Sequence, residues 1–251
     1  MLNIVVPMAG RGSRFQQVGY VDPKPLIPVE GKSMIERVIA NLTPVAEHRF
    51  IFICQREHLF NYPIETSLLA AAPGCVVLSV DGVTEGAACT VLIAREYIKN
   101  DEPLMIANCD QLIDASIDEY LSTLSSRSLD GLIMTMTASD AKWSFVKMTE
   151  EGLVSRVVEK EVISDEATVG IYNFARGQDF VNAADEMVRK KMKVNNEYYV
   201  APVYEQMIAK KASIGTYNIG QVDAGMYGLG TPEDLEAFLK KKVLNGFRNR
   251  C

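Results

Sequence analysis

Between positions 7 and 25 the chain carries Pro7-Met8-Ala9-Gly10-Arg11-Gly12-Ser13-Arg14-Phe15 and then Pro23-Lys24-Pro25. Glycines at 10 and 12 admit positive φ and bring no side chain, so successive backbone N–H groups can converge on one concavity that suits phosphate oxygens. Lys24 lies between two prolines, whose fixed φ and restriction of the preceding residue hold it on stiff backbone. Two guanidiniums and a stiffly held ammonium beside a glycine loop make a grip for a small polyanion. From Met8 to Pro28 these three cations face Asp22 alone, although the whole chain is acidic, with formal charge −6 from 26 Lys+Arg against 32 Asp+Glu. That balance excludes a general nucleic-acid binder, which needs a basic field to displace counterions. Two familiar phosphate loops do not match: Phe15 stands where a dinucleotide fingerprint needs a third glycine, and no Gly-Lys-Ser/Thr closes the loop.

Residues of this kind need a frame that holds them at one edge. Asn3–Met8, Phe50–Cys54, Val76–Val80, Leu104–Ala107 and Leu132–Met136 are short apolar runs, as expected of parallel strands covered on both faces. Between them Ser33-Met34-Ile35-Glu36 predicts a capping box opening a helix to about Leu42, and Gly86–Ile98 and Ile117–Leu124 carry further helices. An α/β fold follows. Phe145–Met148 and Leu153–Val158 flank Glu150-Glu151-Gly152 and predict a hairpin that extends the sheet. A strand at Val169–Phe174, helices near Phe180–Met192 and Val200–Lys210, a strand at Ile214–Ile219 and a helix opening at Thr231-Pro232-Glu233-Asp234 complete the pattern. No linker or repeat divides residues 1–251, so one domain is expected, with a nucleotide half to about 138 and an acceptor half from about 139. The basic tail from Lys240 to Arg250 reads as a solvated helix end.

The five cysteines are odd in number and form no CxxC pair, which predicts reduced thiols. Neither a leader nor an apolar run of about 20 residues is visible, so a cytoplasmic protein without a membrane partner is expected.

Gly10-Arg11-Gly12-Ser13-Arg14-Phe15 with Pro23-Lys24-Pro25-Leu26 resembles the G-x-G-S/T-R-L/F … P-K-P signature of the sugar-phosphate nucleotidyltransferases, the nucleotide-sugar pyrophosphorylases. Later segments agree: Glu85-Gly86-Ala87-Ala88, Asn108-Cys109-Asp110, Val158-Glu159-Lys160, Val169-Gly170-Ile171-Tyr172, Val222-Asp223-Ala224-Gly225 and Gly230-Thr231-Pro232-Glu233-Asp234. The resemblance implies a Rossmann-like, GT-A-like α/β fold with a mixed, mostly parallel sheet and a small antiparallel extension. It implies a reaction in which the phosphate oxygen of a phosphorylated small molecule attacks the α-phosphorus of an NTP and pyrophosphate leaves, a task of positioning and charge neutralisation.

The resemblance also implies roles. Met8, Ala9, Gly10, Gly12 and Ser13 would hold the nucleotide, Arg14 the β- and γ-phosphates, and Lys24 would bridge the α-phosphate and the incoming phosphate; Arg11 is the weaker phosphate contact. Gly86 and Ala87 would face the base. Asp110, at the carboxyl end of a strand, and Asp223 would hold Mg²⁺. Lys160 would grip the acceptor phosphate, with Gln111, Gly170 and Glu197 around the acceptor, while Tyr198 and Tyr199 read as readily as packing residues. Many relatives have a Gly-Asp pair at the metal position, and this chain has Cys109-Asp110.

The expected partners are thus an NTP and a phosphorylated small molecule, a sugar 1-phosphate first. Relatives are often dimers or tetramers, which leaves room for a homo-oligomer. No hexapeptide repeat follows the last helix, so the extensions of longer relatives are not expected. A cytidylyltransferase acting on phosphocholine or another phosphorylated amine or amino acid is the nearest alternative. A glycosyltransferase fits less well, because Gln111-Leu112 follows Asp110 where an Asp-x-Asp motif is usual. A non-catalytic nucleotide-sugar sensor fits less well because Arg14, Lys24, Asp110 and Asp223 are all present.

Overall fold

The computed structural model describes residues 1–241. Strand β1 (Leu2–Met8) runs through the glycine loop into α1 (Ser13–Gln17), and a ribbon of β2 (Pro28–Val29) and β3 (Lys32–Ser33) leads to α2 (Met34–Leu42). Next come β4 (His48–Gln55), α3 (Arg56–Asn61), α4 (Ile64–Ala71), β5 (Val76–Val80), α5 (Ala87–Val91) and α6 (Arg95–Ile98). Then β6 (Leu104–Ala107), β7 (Gln111–Ile113), α7 (Ile117–Ser126) and β8 (Gly131–Thr137) follow. The remainder is β9 (Ser144–Met148), β10 (Val154–Glu159), β11 (Glu166–Phe174), α8 (Gly177–Arg189), α9 (Val203–Ile208), β12 (Ile214–Val222), β13 (Gly225–Gly228) and α10 (Pro232–Lys240).

A mixed sheet carries both halves, in the order β5-β4-β1-β6-β11-β8-β12-β13-β7. The strands β5, β4, β1 and β6 are parallel, with Val5 opposite Ile51 and Ile106. Strand β11 enters in the opposite direction, antiparallel to both β6 and β8. The predicted hairpin forms from β9 and β10, and β9 adds to β11, so it extends the sheet as expected. Ile4, Val6 and Met8 enter one core with Met34, Ile35 and Val38 of α2, whereas Val5 enters the other with Val91 and Phe180. That two-sided burial is why β1 is an apolar run without alternation.

The capping box forms: Ser33 Oγ accepts from Glu36 N at 3.4 Å and the Glu36 carboxylate accepts from Ser33 N at 2.7 Å. The helix expected over Gly86–Ile98 is instead α5 and α6 joined by a 3-10 turn at Leu92–Ala94. Thr90, Val91 and Ile93 are β-branched and weaken a continuous helix there. Cys54, Cys75, Cys89 and Cys109 are free thiols; Cys251 and most of the basic tail lie outside the described residues. Among the described residues no helix is long and apolar enough to cross a membrane.

Candidate active site

The glycine loop and Lys24 meet Asp110 at the carboxyl ends of β1 and β6. Met8 and Ala9 are buried where the strand ends, and Gly10, Arg11, Ser13 and Arg14 are exposed beyond it. Gly12 caps α1, and a Cβ on it would stand 3.4 Å from the Lys24 Cβ, so loop and lysine stem are in direct contact. Lys24 Nζ donates to Asp110 Oδ2 at 2.7 Å, with both side chains 22% exposed. Burial works against the ammonium, but the Asp110 carboxylate, the neighbouring Cys109 and the hydrogen bond outweigh it and raise the Lys24 pKa. Arg11 and Arg14 make no hydrogen bond or ion pair among the described residues. Gln55, at the end of β4, donates Nε2 to the Ala9 carbonyl at 2.7 Å and fixes the start of the loop.

The four residues from Asn108 to Gln111 pass from this cationic corner into a cavity of about 300 Å³. Its walls include Asn108, Gln111, Trp143, Glu159, Lys160 and Tyr199. Gly170 lies in β11 where its register with β8 shifts, at φ 81, and a Cβ there would stand 2.2 Å from Asn108 Nδ2 and 2.9 Å from Gln111 Nε2. The left-handed backbone therefore calls for glycine, and any larger residue would also push the two amides out of place. Gln111 is 6% exposed and its Nε2 has no hydrogen-bond partner, a donor left for whatever enters. Lys160, at φ 57, donates Nζ to the Tyr199 hydroxyl at 2.7 Å and lies 4.7 Å from the centre of that ring. The hydrogen bond to Tyr199 raises the Lys160 pKa.

Gly86 and Ala87 begin α5, and Ala87 also lines the cavity, so the expected base contact and the expected acceptor pocket adjoin. Glu197 is exposed at a tight turn and does not line the cavity; its carboxylate lies beside the Tyr199 hydroxyl. Glu159, Trp143, Asn108 and Tyr199 are wall residues that the sequence reading did not assign to the site. Glu159 is buried, accepts from Ser144 Oγ, and is raised in pKa by that burial. Its signal was present in Val158-Glu159-Lys160, where an acid ends an apolar strand beside a basic residue.

The two aspartates expected to hold metal each have a lysine partner, Lys24 for Asp110 and Lys241 for Asp223. Strand β13 pairs with β7 so that Gly228 faces Gln111 and Met226 faces Ile113, while Leu229 N donates to the Asp110 carbonyl at 2.7 Å. Asp223 lies in the turn between β12 and β13, where its N–H donates at 2.7 Å to the carbonyl of Met226, the residue opposite Ile113. Its φ is 66 and its carboxylate pairs with Lys241 Nζ at 2.5 Å, the behaviour of a turn residue tied to the last helix. No group of three or more His, Cys, Asp or Glu poised for a metal occurs among the described residues. A larger groove of about 900 Å³, between α2, the segment 113–119 and Tyr217–Ile219, holds none of the expected site residues.

The family described as nucleotidyl transferase matches residues 4–223. The bifunctional protein GlmU of Methanococcus maripaludis strain S2 is 24% identical over 176 residues, covering 68% of this chain and 39% of that protein. The mannose-1-phosphate guanylyltransferase catalytic subunit beta of Dictyostelium discoideum is 24% identical over 181 residues, covering 69% of this chain and 49% of that protein. The chain thus spans less than half the length of these two curated relatives. The nucleoside-diphosphate-sugar pyrophosphorylase of Vibrio cholerae RC9 superimposes with a TM-score of 0.81 at 26% identity, covering 94% of this chain and 99% of that one. With the glycine loop, Lys24 and Asp110 in one corner of the same fold, the chain belongs to the nucleotidyl transferase family.

Proposed function

We propose that the chain joins an NTP to a phosphorylated small molecule, a sugar 1-phosphate, and releases pyrophosphate. The observation that carries this reading is the stretch Asn108–Gln111, whose Asp110 meets Lys24 and the glycine loop while Asn108 and Gln111 line the Lys160 cavity. A triphosphate on the loop and a phosphomonoester in the cavity would meet there.

The backbone of Ala9 to Gly12 would receive the nucleotide, and the unpaired guanidiniums of Arg14 and Arg11 would face its β- and γ-phosphates. Lys24 would stand between the α-phosphate and the incoming phosphate, held by Asp110 against its own burial. Lys160 would draw in the acceptor phosphate, whose oxygen attacks the α-phosphorus as the bond to pyrophosphate breaks. Gln111 Nε2 would donate to the acceptor. Asp110 alone suits Mg²⁺, which takes one or two carboxylates and completes its shell with phosphates and water. When bound, the ion would neutralise phosphate charge; Asp223 would reach it only by leaving Lys241.

Glu159 favours a second reading, in which the acceptor carries an amine. A buried carboxylate among Trp143, Tyr172 and Tyr199 also suits an ammonium. Pyrophosphate release measured across five NTPs and a panel of sugar 1-phosphates and amine phosphates decides. Turnover with a sugar 1-phosphate is expected, turnover only with amine phosphates would replace the sugar by the amine, and no turnover with any pair would overturn the proposal.

A further inference from the structure

Two consecutive residues, Tyr198 and Tyr199, touch opposite halves of the proposed site, the first through its main chain and the second through its side chain. They follow a tight turn in which Asn195 and Asn196 are left-handed, at φ 48 and 63, and Val194 and Glu197 exchange backbone hydrogen bonds at 3.0 and 2.9 Å. On the nucleotide side, Tyr198 N donates to the Glu85 carbonyl at 2.8 Å and the Tyr198 carbonyl accepts from Ala88 N at 3.0 Å. Gly86 lies so close beneath that a Cβ would stand 2.5 Å from both Tyr198 N and O, and its φ is 128. Lys193 adds an ion pair to Glu85 and lies 5.0 Å from the Tyr198 ring centre. On the acceptor side, the Tyr199 hydroxyl receives the Lys160 ammonium. The Lys160 backbone is itself left-handed, a conformation that persists only where its surroundings enforce it.

The peptide unit joining the two is planar, so a shift of the Tyr198 carbonyl moves the Tyr199 N and Cα, the root of the Tyr199 side chain. A base seated against Gly86 and Ala87 would press on that main chain. We infer that Tyr198-Tyr199 links the two substrate subsites: a bound nucleotide sets the place of the Tyr199 hydroxyl, and Tyr199 is a positioning residue that aims Lys160 at the acceptor phosphate. The inference rests on the proposed function, since it takes the 85–88 loop as the base side and the Lys160 cavity as the acceptor side.

Trp143 is the one tryptophan of the chain and lines that cavity, so its fluorescence reports acceptor binding without turnover. The full chain is titrated with glucose 1-phosphate and with phosphocholine, alone and with a saturating amount of the NTP that calorimetry shows to bind tightest of the five. In the unsubstituted protein the NTP is expected to tighten the ester by about fivefold or more, and the ester to tighten the NTP by the same factor, as linkage demands. In Tyr199→Phe the factor is expected to fall below about twofold, within the noise of a coupling energy. Its affinity for the NTP alone stays unchanged, and KM for the ester rises more than kcat falls. Lys193→Ala, which loosens the other end, is expected to lower the factor as well. Retained coupling in folded Tyr199→Phe, or none in the unsubstituted protein, overturns the link and leaves the proposed function standing. NTP binding without a Trp143 response to either ester, or no NTP binding at all, overturns the proposed function and the link with it.

Discussion

Lys24 makes its charge available by contact with Asp110, and the two cannot be exchanged for other residues without loss. Replacing Lys24 by alanine removes the charge proposed to face the α-phosphate, and Arg14→Ala removes an exposed guanidinium without touching the core. Each is expected to lower kcat by about 10²-fold or more, the scale of losing one preorganised charge donor, with a native circular dichroism spectrum. Near-normal turnover in either would remove that residue from the mechanism. Gly170→Ala introduces a Cβ 2.2 Å from Asn108 Nδ2 at a positive φ. A loss of about 2 kcal/mol is expected, read as a Tm several degrees lower, together with a raised KM for the acceptor. Asp110→Asn is expected to abolish turnover and weaken Mn²⁺ binding followed by electron paramagnetic resonance. Asp223→Asn is expected to leave the Mn²⁺ signal unchanged; a weakened signal would return Asp223 to the metal.

At the scale of elements, the segment carrying Tyr198 and Tyr199 hangs between α8 and α9, and one carboxylate ties the end of α8 to the residues just past α9. Glu186 pairs with Lys190 at 2.9 Å and with Lys210 at 2.6 Å. The hydrogen bonds to Lys210 and Lys190 hold its pKa at about 2, against an ordinary 4.5. A depressed carboxylate stabilises the fold above its unfolded pKa and loses that contribution as pH falls through the folded value. The Tm advantage of the unsubstituted protein over Glu186→Gln is therefore expected at neutral pH and should shrink as pH falls from about 4.5 toward about 2. An advantage that is constant with pH would show that the pairs contribute nothing.

Elements of this size also set what could be foreseen. Strand β1, helix α2 with its Ser33 cap, the β9–β10 hairpin and α10 behind Thr231 each announce themselves through local chemistry, and each forms where expected. Strands β7 and β13, with three and four residues, are too short to show a period, and their register is a long-range fact. That register puts Gly228, not Asp223, beside Gln111. The loop and Asp110 were legible as chemistry because each sits at the end of an apolar strand, and Lys24 because prolines flank it. The bond from Lys160 to Tyr199, 39 positions away, depends on how two distant segments pack and leaves no mark in either.

For the whole molecule, the sheet is what matters most. Strand β6 ends at the Asp110 corner, and its neighbour β11, contributed by the second half, carries Gly170 under the cavity. Seven hydrogen-bonded strands from β5 to β12 therefore join the two proposed substrate sides. A hinge through such a sheet would break its ladder, so the two halves are expected to keep their relative places. Substrates would be enclosed by rearrangement of loops alone, and small-angle scattering is expected to give the same radius of gyration with and without NTP. A measurable contraction would mean that the sheet bends. With the sheet unbent, discrimination among substrates would, on the proposed function, fall to groups already in place on the cavity wall, such as the amides of Asn108 and Gln111.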